Sequence, residues 1–537
     1  MQTTTHKLDS AIQVQPTPVT PPVIPLEHIE ALARLVTHTN APHDMTTVRM
    51  PFTGEVLGQV AICTSEDVDL ALGSARLAQK AWAQTSLTER KRIFLRFHDL
   101  VMQNRDVFLD LLQLEAGKTR LDALDEVFDV VINTRYYAAR AARYLIPHRR
   151  NGAIPILTQT LEIHPPVGVV GFIAPWNYPL AMAVSDTIPA MIAGNAVVIK
   201  PAEETPFLAL LGAELFYQAG VPRDVFQVVT GKGRVLGPSL IDGIDYLGFT
   251  GGTEAGRLLS SMAGSRLIKT SMELGGKNPA IVLDDADINK TVDGLVRAIF
   301  SNAGQLCVHV ERLYIQSGIY DRLVSALVKR VKKMIVSGAL DFNVDMGSLI
   351  SQSQLDKVTR HVEDAVSKGV TVLTGGKALP ELGPYFFEPT LLTNVKPNME
   401  LFSDETFGPV VAIYRFETVE EAIHLANDSV YGLNACVWTR NTRLGGQIAR
   451  RIEAGTVNVN EGYAAAWGSV DSPMGGMKDS GLGRRHGREG ILKYTEAQTV
   501  STQRGILIGP SGRLTPQRYA AVMTWLLKLM KSIPFLR

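Results

Sequence analysis

Cysteine is almost absent: 537 residues hold three, Cys63, Cys307 and Cys436. Their spacing offers no disulfide framework and no Cys/His zinc pattern. No metal site is therefore expected, and a reducing compartment, the cytoplasm, suits the chain. A charge excess of one sign is lacking as well. Lys and Arg total 54 against 53 Asp and Glu, a formal net charge of +1, which excludes a global basic footprint for nucleic acid. Long apolar runs are missing. Near the C-terminus the longest uncharged stretch, Tyr519 to Leu527, falls far below the ~20 residues of a membrane-spanning helix. The N-terminus, "MQTTTHKLDSAIQVQPTPVTPPVIP", has no apolar core of the kind a secretory signal needs. Its density of Pro and Thr cannot bury a core, so residues 1–27 read as a disordered arm.

What is present is a long globular chain. Hydrophobic content of 45% and charged content of 20% are ordinary for a folded protein, and the length requires two or three domains. From Ser65 to about Leu145 apolar residues recur at helical spacing. "EDVDLALGSARLAQKAWAQ" puts Val68, Ala71, Leu72, Ala75, Ala78 and Trp82 on one face, and Thr88 is in position to cap the next helix. The pattern then changes. "VGVVGFIAP", "NAVVIKP", "VFQVVTG" and "DYLGFTGG" are short β-rich runs ending in Gly or Pro, with helix-like stretches such as "FLALLGAELFYQAG" between them. That alternation predicts βαβ units and a parallel sheet. Strands covered on both faces read as unbroken apolar runs. Ligands of such sheets bind at the carboxyl ends of the strands, here Trp176-Asn177, Lys200 to Glu203 and Thr250 to Gly252. A second α/β stretch runs from about Asn278 to Asp479. Its clearest strands are "PAIVLDDADI", "ERLYIQSGI", "VTVLTGG" and "TVNVNEG".

Four stretches carry side chains suited to chemistry. With no cross-link to form, Cys307 in "FSNAGQLCVHVER" is either core packing or a nucleophile. Glu273 in "MELGGKNP" either ends a strand or, beside a flexible glycine pair, swings to activate water. Asn177 in "PWNYP" is part of a rigid turn or an amide that holds an oxyanion. Gly251 and Gly252 open "GGTEAG" at the head of a helix, where backbone N–H groups can approach a diphosphate. Any tight strand-to-helix turn looks the same.

Taken in order, "PWNYP", "VVIKPAEETP", "FTGGTEAG", "MELGGKNP", "NAGQLC", "ETFGP" and "PMGGMKDSGLGRRHG" resemble the aldehyde dehydrogenase superfamily over roughly residues 45–500. Within it the chain looks most like bacterial succinate-semialdehyde dehydrogenase-like enzymes. The resemblance implies an α/β fold of three parts: a Rossmann-like dinucleotide-binding domain (28–146 and 166–277), an α/β catalytic domain (278–480) and a small β oligomerisation element (147–165 and 488–503). It implies a homodimer or homotetramer. It also implies NAD(P)-dependent oxidation of an aldehyde to its acid, with Cys307 as nucleophile through a thiohemiacetal and a thioester. Asn177 and the Cys307 backbone N–H would hold the oxyanion, and Glu273 would activate water. The implied cofactor residues are Trp176, Lys200 and Glu203, then Gly251 and Gly252 at the diphosphate, then Glu405 and Phe407 at the nicotinamide ribose and ring. A carboxylate at Glu203 repels a 2′-phosphate, so NAD is expected. NADP is the alternative, because Lys200 can pair with that phosphate.

The chain departs from the family pattern in two ways. A Lys–Glu pair found in many hydrolytic relatives is replaced by Asp186, nine residues after Asn177, and Arg485, directly after "GLGR". The paired exchange predicts a reversed ion pair. The two arginines that grip a distal carboxylate in succinate-semialdehyde enzymes are Ser185 and Ser301. Succinate semialdehyde would thus need another cation. The alternatives are an apolar aldehyde in a tunnel lined by Tyr463 and Trp467, or an acylating or non-catalytic, membrane-associated relative. The amphipathic tail 504–537, ending "RYAAVMTWLLKLMKSIPFLR", is read as packing on the protein or a partner subunit in preference to an interfacial membrane anchor.

Overall fold

The computed structural model describes residues 13–14, 24–153, 157–505, 508–510, 512 and 514–532. Most of the stretch expected as an arm, 1–12 and 15–23, lies outside the described residues. Within it, Gln13–Val14 pairs in parallel with Ile335–Val336. Ile24 is buried, and helix α1 (Leu26–Ala33) begins at Leu26 because Ile29 and Leu32 give it a face to bury.

Helices α2 (Ser65–Gln84), α3 (Leu87–Gln103) and α4 (Arg120–Leu145) follow. Of the six residues its spacing predicts, α2 buries Val68, Ala71, Leu72, Ala75 and Trp82 and half-buries Ala78, and a Thr64–Asp67 capping box starts it. The cap of α3 is Ser86 and not Thr88: the Ser86 hydroxyl accepts from the Glu89 N–H at 3.2 Å. A capping residue precedes the first helical one, and Thr88 already lies in the first turn.

The chain forms two units, Met1–Tyr144 with Pro166–Tyr494, and Leu145–Pro165 with Thr495–Arg537. The first unit contains two large sheets. Strands β1 (Val169–Ile173), β2 (Ala196–Lys200), β3 (Phe226–Val228), β4 (Tyr246–Thr250) and β5 (Lys269–Glu273) lie in the order β5-β4-β1-β2-β3, all parallel, with Gly481–Leu482 added antiparallel beside β5. Helix α5 (Thr253–Ser265) leads from β4 to β5. From β1 the chain winds outward through β2 and β3, then returns to build β4 and β5 on the other side. A crevice opens at such a switch point, here between the carboxyl ends of β1 and β4.

Four residues, Leu274 to Lys277, then cross from β5 to the second sheet. It holds β6 (Asn278–Val282), β7 (Val310–Gln316), β8 (Thr371–Thr374), β9 (Thr390–Thr393), β10 (Val410–Phe416), β11 (Asn434–Trp438) and β12 (Thr456–Val459). Their order is β8-β9-β10-β7-β6-β11-β12, parallel except for β8 against β9. Its largest apolar cluster joins Leu313 and Ile315 of β7 to Leu295, Ile299 and Phe300 of helix α6 (Ile288–Phe300). In the second unit Thr158–Ile163 pairs antiparallel with His148–Arg150 and with Gln498–Gln503, and helix α7 (Pro516–Lys531) follows. Among the described residues no helix is long and apolar enough to cross a membrane, and no group of His, Cys, Asp and Glu has the arrangement to hold a metal ion.

Candidate active site

The loop before Cys307 is strained and heavily pinned. After α6 the chain turns through Asn302 (φ 53°), Ala303 (φ 54°) and Gly304 (φ 70°), three left-handed residues in a row. That conformation costs a non-glycine residue ~1–2 kcal/mol and persists only where neighbours hold it. Asp122 of α4 accepts from the Asn302 N–H at 3.0 Å. The Asn302 amide donates to the carbonyls of Asn177 and Gln305, both at 3.0 Å. Gln305 in turn donates to Asn302 and Ser348 and accepts from the Ile350 N–H. At Gly304 a Cβ would run into the Gly408 backbone. Cys307 emerges just before β7, its carbonyl held by Asn278 Nδ2 at 2.7 Å. Asn177 Nδ2 donates to the Gln305 carbonyl at 3.1 Å, two residues before Cys307.

Cys307, Asn177 and Glu273 open onto one cavity of about 200 Å³, and so do Trp176, Gly251, Gly252, Glu405 and Phe407. It lies where the carboxyl ends of the first sheet face the amino ends of β7 and β10. Lys200 and Glu203 lie outside it, at the end of β2. The Lys200 ammonium is buried and donates to the carbonyls of Pro201 and Gly231, while Glu203 is exposed.

The groove fits a dinucleotide. Gly252 caps α5 with nothing within 4 Å of where a side chain would begin, so free backbone N–H groups can meet a diphosphate. The Glu405 carboxylate accepts from the Gly276 N–H at 2.7 Å, and the Trp176 and Phe407 rings meet edge to face at 5.5 Å. Sequence reasoning missed several supports. Gln354 and Lys357 line the groove from a surface helix with no motif, and Gln354 donates to the Phe407 carbonyl. Glu311, paired with buried Lys277, accepts from the Thr406 and Phe407 N–H groups. It thereby fixes Phe407 at φ 56°. Burial opposes its charge, yet Lys277 holds Glu311 well below the usual carboxylate range. The glycine pair after Glu273 has a steric role that the sequence did not show. Neither Gly275 nor Gly276 has a positive φ. They are small because a Cβ would lie 2.7 Å from the Glu405 carboxylate and 2.7 Å from the Cys307 carbonyl, respectively. Close approach is reason enough for both glycines.

Residues 38–500 match the aldehyde dehydrogenase family. The chain belongs to that family. A Mycolicibacterium smegmatis protein provisionally named succinate-semialdehyde dehydrogenase [NADP(+)] is 49% identical over 483 residues, 90% of this chain and 93% of that relative. The mitochondrial succinate-semialdehyde dehydrogenase of Oryza sativa is 37% identical, covering 84% of this chain and 85% of its own length. The crystal structure of betaine aldehyde dehydrogenase from Staphylococcus aureus in complex with NAD+ superposes with a TM-score of 0.84 at 32% identity, over 91% of this chain and 99% of that one. This aldehyde dehydrogenase therefore has the family's α/β fold and oxidises aldehydes to acids.

Electrostatics sort its two central groups. Burial pushes the Glu273 carboxyl up to about 7, against Arg485 and Lys493, which pull it down. Burial, then the nearby Glu273 and Glu405, push the Cys307 thiol up to about 12. The resting thiol thus keeps its proton at neutral pH, while Glu273 titrates where a general base works best. The reversed ion pair is present: Arg485 Nη2 lies 2.6 Å from Asp186 Oδ1, and the guanidinium stands 5.3 Å from the Trp467 ring centre.

A second cavity, of about 150 Å³, reaches Leu306 and Tyr178, the neighbours of Cys307 and Asn177. Tyr463 and Trp467 line it, as do Phe128, Asp125, Asp129 and Arg297. The Tyr463 hydroxyl donates to Ser301 at 2.9 Å, so one position vacated by the missing clamp is filled by a neutral hydrogen bond. Arg297 of α6 donates to Asp125 through Nη2 alone, at 2.9 and 3.2 Å.

Proposed function

We propose that this aldehyde dehydrogenase oxidises succinate semialdehyde to succinate with NAD(P). The observation that carries the substrate is Arg297: it supplies the tunnel with a cation where Ser185 and Ser301 leave none. The relatives named for that activity agree. Cys307 sulfur attacks the aldehyde carbon as Glu273 takes the thiol proton. The oxyanion is received by the Cys307 N–H and by Asn177, whose amide has a second hydrogen beyond the one given to Gln305. A bound dinucleotide supplies a nicotinamide ring that accepts hydride. Glu273 gives the thiol proton to solvent, then takes a proton from the water that adds to the thioester and passes it to the Cys307 sulfur, which leaves as the thiol. Trp176, Gly251, Gly252, Glu405 and Phe407 hold the cofactor from the shared groove, with Lys200 and Glu203 at the adenosine ribose. Exposed Glu203 favours NAD, whereas NADP(+) is in the name of the 49% relative.

The first sheet and its helices form the dinucleotide-binding domain and the second sheet the catalytic one. The three-stranded sheet of the second unit joins subunits into a dimer or tetramer. None of its strand residues is buried, so it lacks the hydrophobic face that three strands need to be stable alone, and its edge strand Gln498–Gln503 is largely exposed. Three free cysteines support a cytoplasmic location.

A second reading, an apolar or aromatic aldehyde, is favoured by the Phe128, Tyr178, Tyr463 and Trp467 walls and by the Asp125 and Asp129 carboxylates. The test is kcat/KM for succinate semialdehyde and hexanal, each with NAD and NADP, in wild type and Arg297→Leu. The proposal expects succinate semialdehyde to win, and Arg297→Leu to cost it ~10- to 100-fold, the worth of a charged hydrogen bond, with hexanal unaffected. Preference for hexanal, or an Arg297→Leu enzyme with unchanged selectivity, transfers the assignment to the second reading.

A further inference from the structure

Charge is balanced over the chain but not along it. Six of its 54 Lys and Arg and none of its 53 Asp and Glu follow Glu496, so the chain up to Glu496 carries −5 and the remainder +6. Helix α7 runs through this basic stretch. It is complete in itself: Thr515 accepts from the Arg518 N–H, Pro516 opens the first turn, and Lys528 and Lys531 stand in the last. Yet none of its residues is buried. Val522, Trp525, Leu527 and Leu529 are 44 to 61% exposed, and Trp525 is the one exposed tryptophan of five. At 3.6 residues per turn, Val522, Trp525, Leu526, Leu529 and Met530 share a broad apolar arc that Arg518 enters at its N-terminal end, while Gln517, Thr524, Lys528 and Lys531 occupy the opposite face.

We propose that α7 is an interfacial anchor that lies flat on a membrane of anionic lipid. Its apolar arc would enter the acyl boundary and its cations would meet the headgroup phosphates. Tryptophan at one margin of the arc and lysines on the face behind it suit a layer that is apolar below and negatively charged above. Val522, Trp525 and Leu529 of the arc are exposed and Leu526 and Met530 half-buried, and we weigh this open face, with the charge beside it, above the packing that the sequence suggested. The helix is too short and too charged to span, so attachment is reversible.

The test uses the full-length enzyme in co-sedimentation with vesicles of phosphatidylcholine alone and of phosphatidylcholine with phosphatidylglycerol, 3:1. Binding is expected to the mixed vesicles, at least about tenfold weaker to the neutral ones, and weakened by about 0.5 M salt. Trp525→Ser/Leu529→Ser and Lys528→Glu/Lys531→Glu should each reduce it at least about tenfold, with vesicle-free activity intact as evidence of folding. Absence of binding to either vesicle, or binding retained by both variants, overturns the proposal. It also falls if Trp525→Ser/Leu529→Ser lowers the oligomeric mass while wild type ignores vesicles, because the arc then belongs to a second copy of the chain.

Discussion

Replacing Asp186 by Lys should be one of the more damaging single changes outside the groove. Asp186 and Arg485 are 2.6 Å apart, with only 17% and 4% of their side chains exposed. Taking one partner from a buried pair leaves the other charge uncompensated, at ~3–5 kcal/mol. Asp129 faces the same guanidinium and steadies it, so the lower end, about 3 kcal/mol, is expected here. Asp186→Lys goes further than neutralisation, since it sets two cations against each other. Arg485→Glu sets three carboxyl groups together. Asp186→Lys/Arg485→Glu restores opposite charges in reversed order. Urea unfolding of the four proteins closes a double-mutant cycle, with an expected coupling of at least about 2 kcal/mol. An Asp186→Lys enzyme as stable and active as wild type, or a double variant no better than the sum of its singles, would refute the pairing argument.

Other consequences follow from the same geometry. In wild type kcat/KM should rise as pH climbs through about 7, where Glu273 loses its proton. Glu273→Gln should remove that limb and slow turnover ~10²- to 10⁴-fold, and a limb that survives the change assigns it to another group. Gly304→Ala places a Cβ against the Gly408 backbone at φ 70°. It should lower the melting temperature and cost ~1–3 kcal/mol, and an unchanged melting curve would show that the loop relaxes. Asp122→Ala removes the acceptor of the Asn302 N–H. A stability loss of ~1–3 kcal/mol and a fall in kcat of up to ~100-fold at constant KM are expected, and a normal kcat would mean that the loop holds itself.

Much of the fold was legible because its signals are local. The four runs that became β1 to β4 are apolar but for Lys200, Gln227 and Thr250, since both faces of each are covered. Helix α2 announced its buried face by spacing alone. Thr88 misled because Ser86 offers the same chemistry two residues earlier, and only the geometry of the first turn chooses between them. The groove was legible as an ordered set of motifs, but its supports were not. Asp122 and Asn302 lie 180 positions apart, and Gln354 reaches Phe407 from an otherwise unremarked surface helix. No spacing rule connects such pairs. Arg297 reads in sequence as one more basic residue of an amphipathic helix, and only the tunnel around it gives it a role. The glycines after Glu273 show the reverse case: their type was noticed in sequence, but the close approach of Glu405 and Cys307 that leaves no room for a side chain was not.

The reversed pair also has a consequence for the base that a stability measurement misses. Arg485 is the strongest pull toward ionisation on Glu273 after burial has raised it, whereas Asp186 opposes that pull more weakly. Arg485 also lowers the Cys307 thiol. The cation of the pair therefore acts on the groove more strongly than its anion does. Exchanging the two charges keeps a salt bridge but puts the negative end where the guanidinium now stands. Asp186→Lys/Arg485→Glu should then recover stability without recovering the pH profile. Its Glu273 limb should move above pH 7, because a nearby carboxylate disfavours the ionised base, and activity at neutral pH should fall as the protonated fraction grows. If the double variant regains both stability and the wild-type limb, the pair is structural only, and Lys493, brought down by burial to about 8, becomes the remaining cation that could set the base.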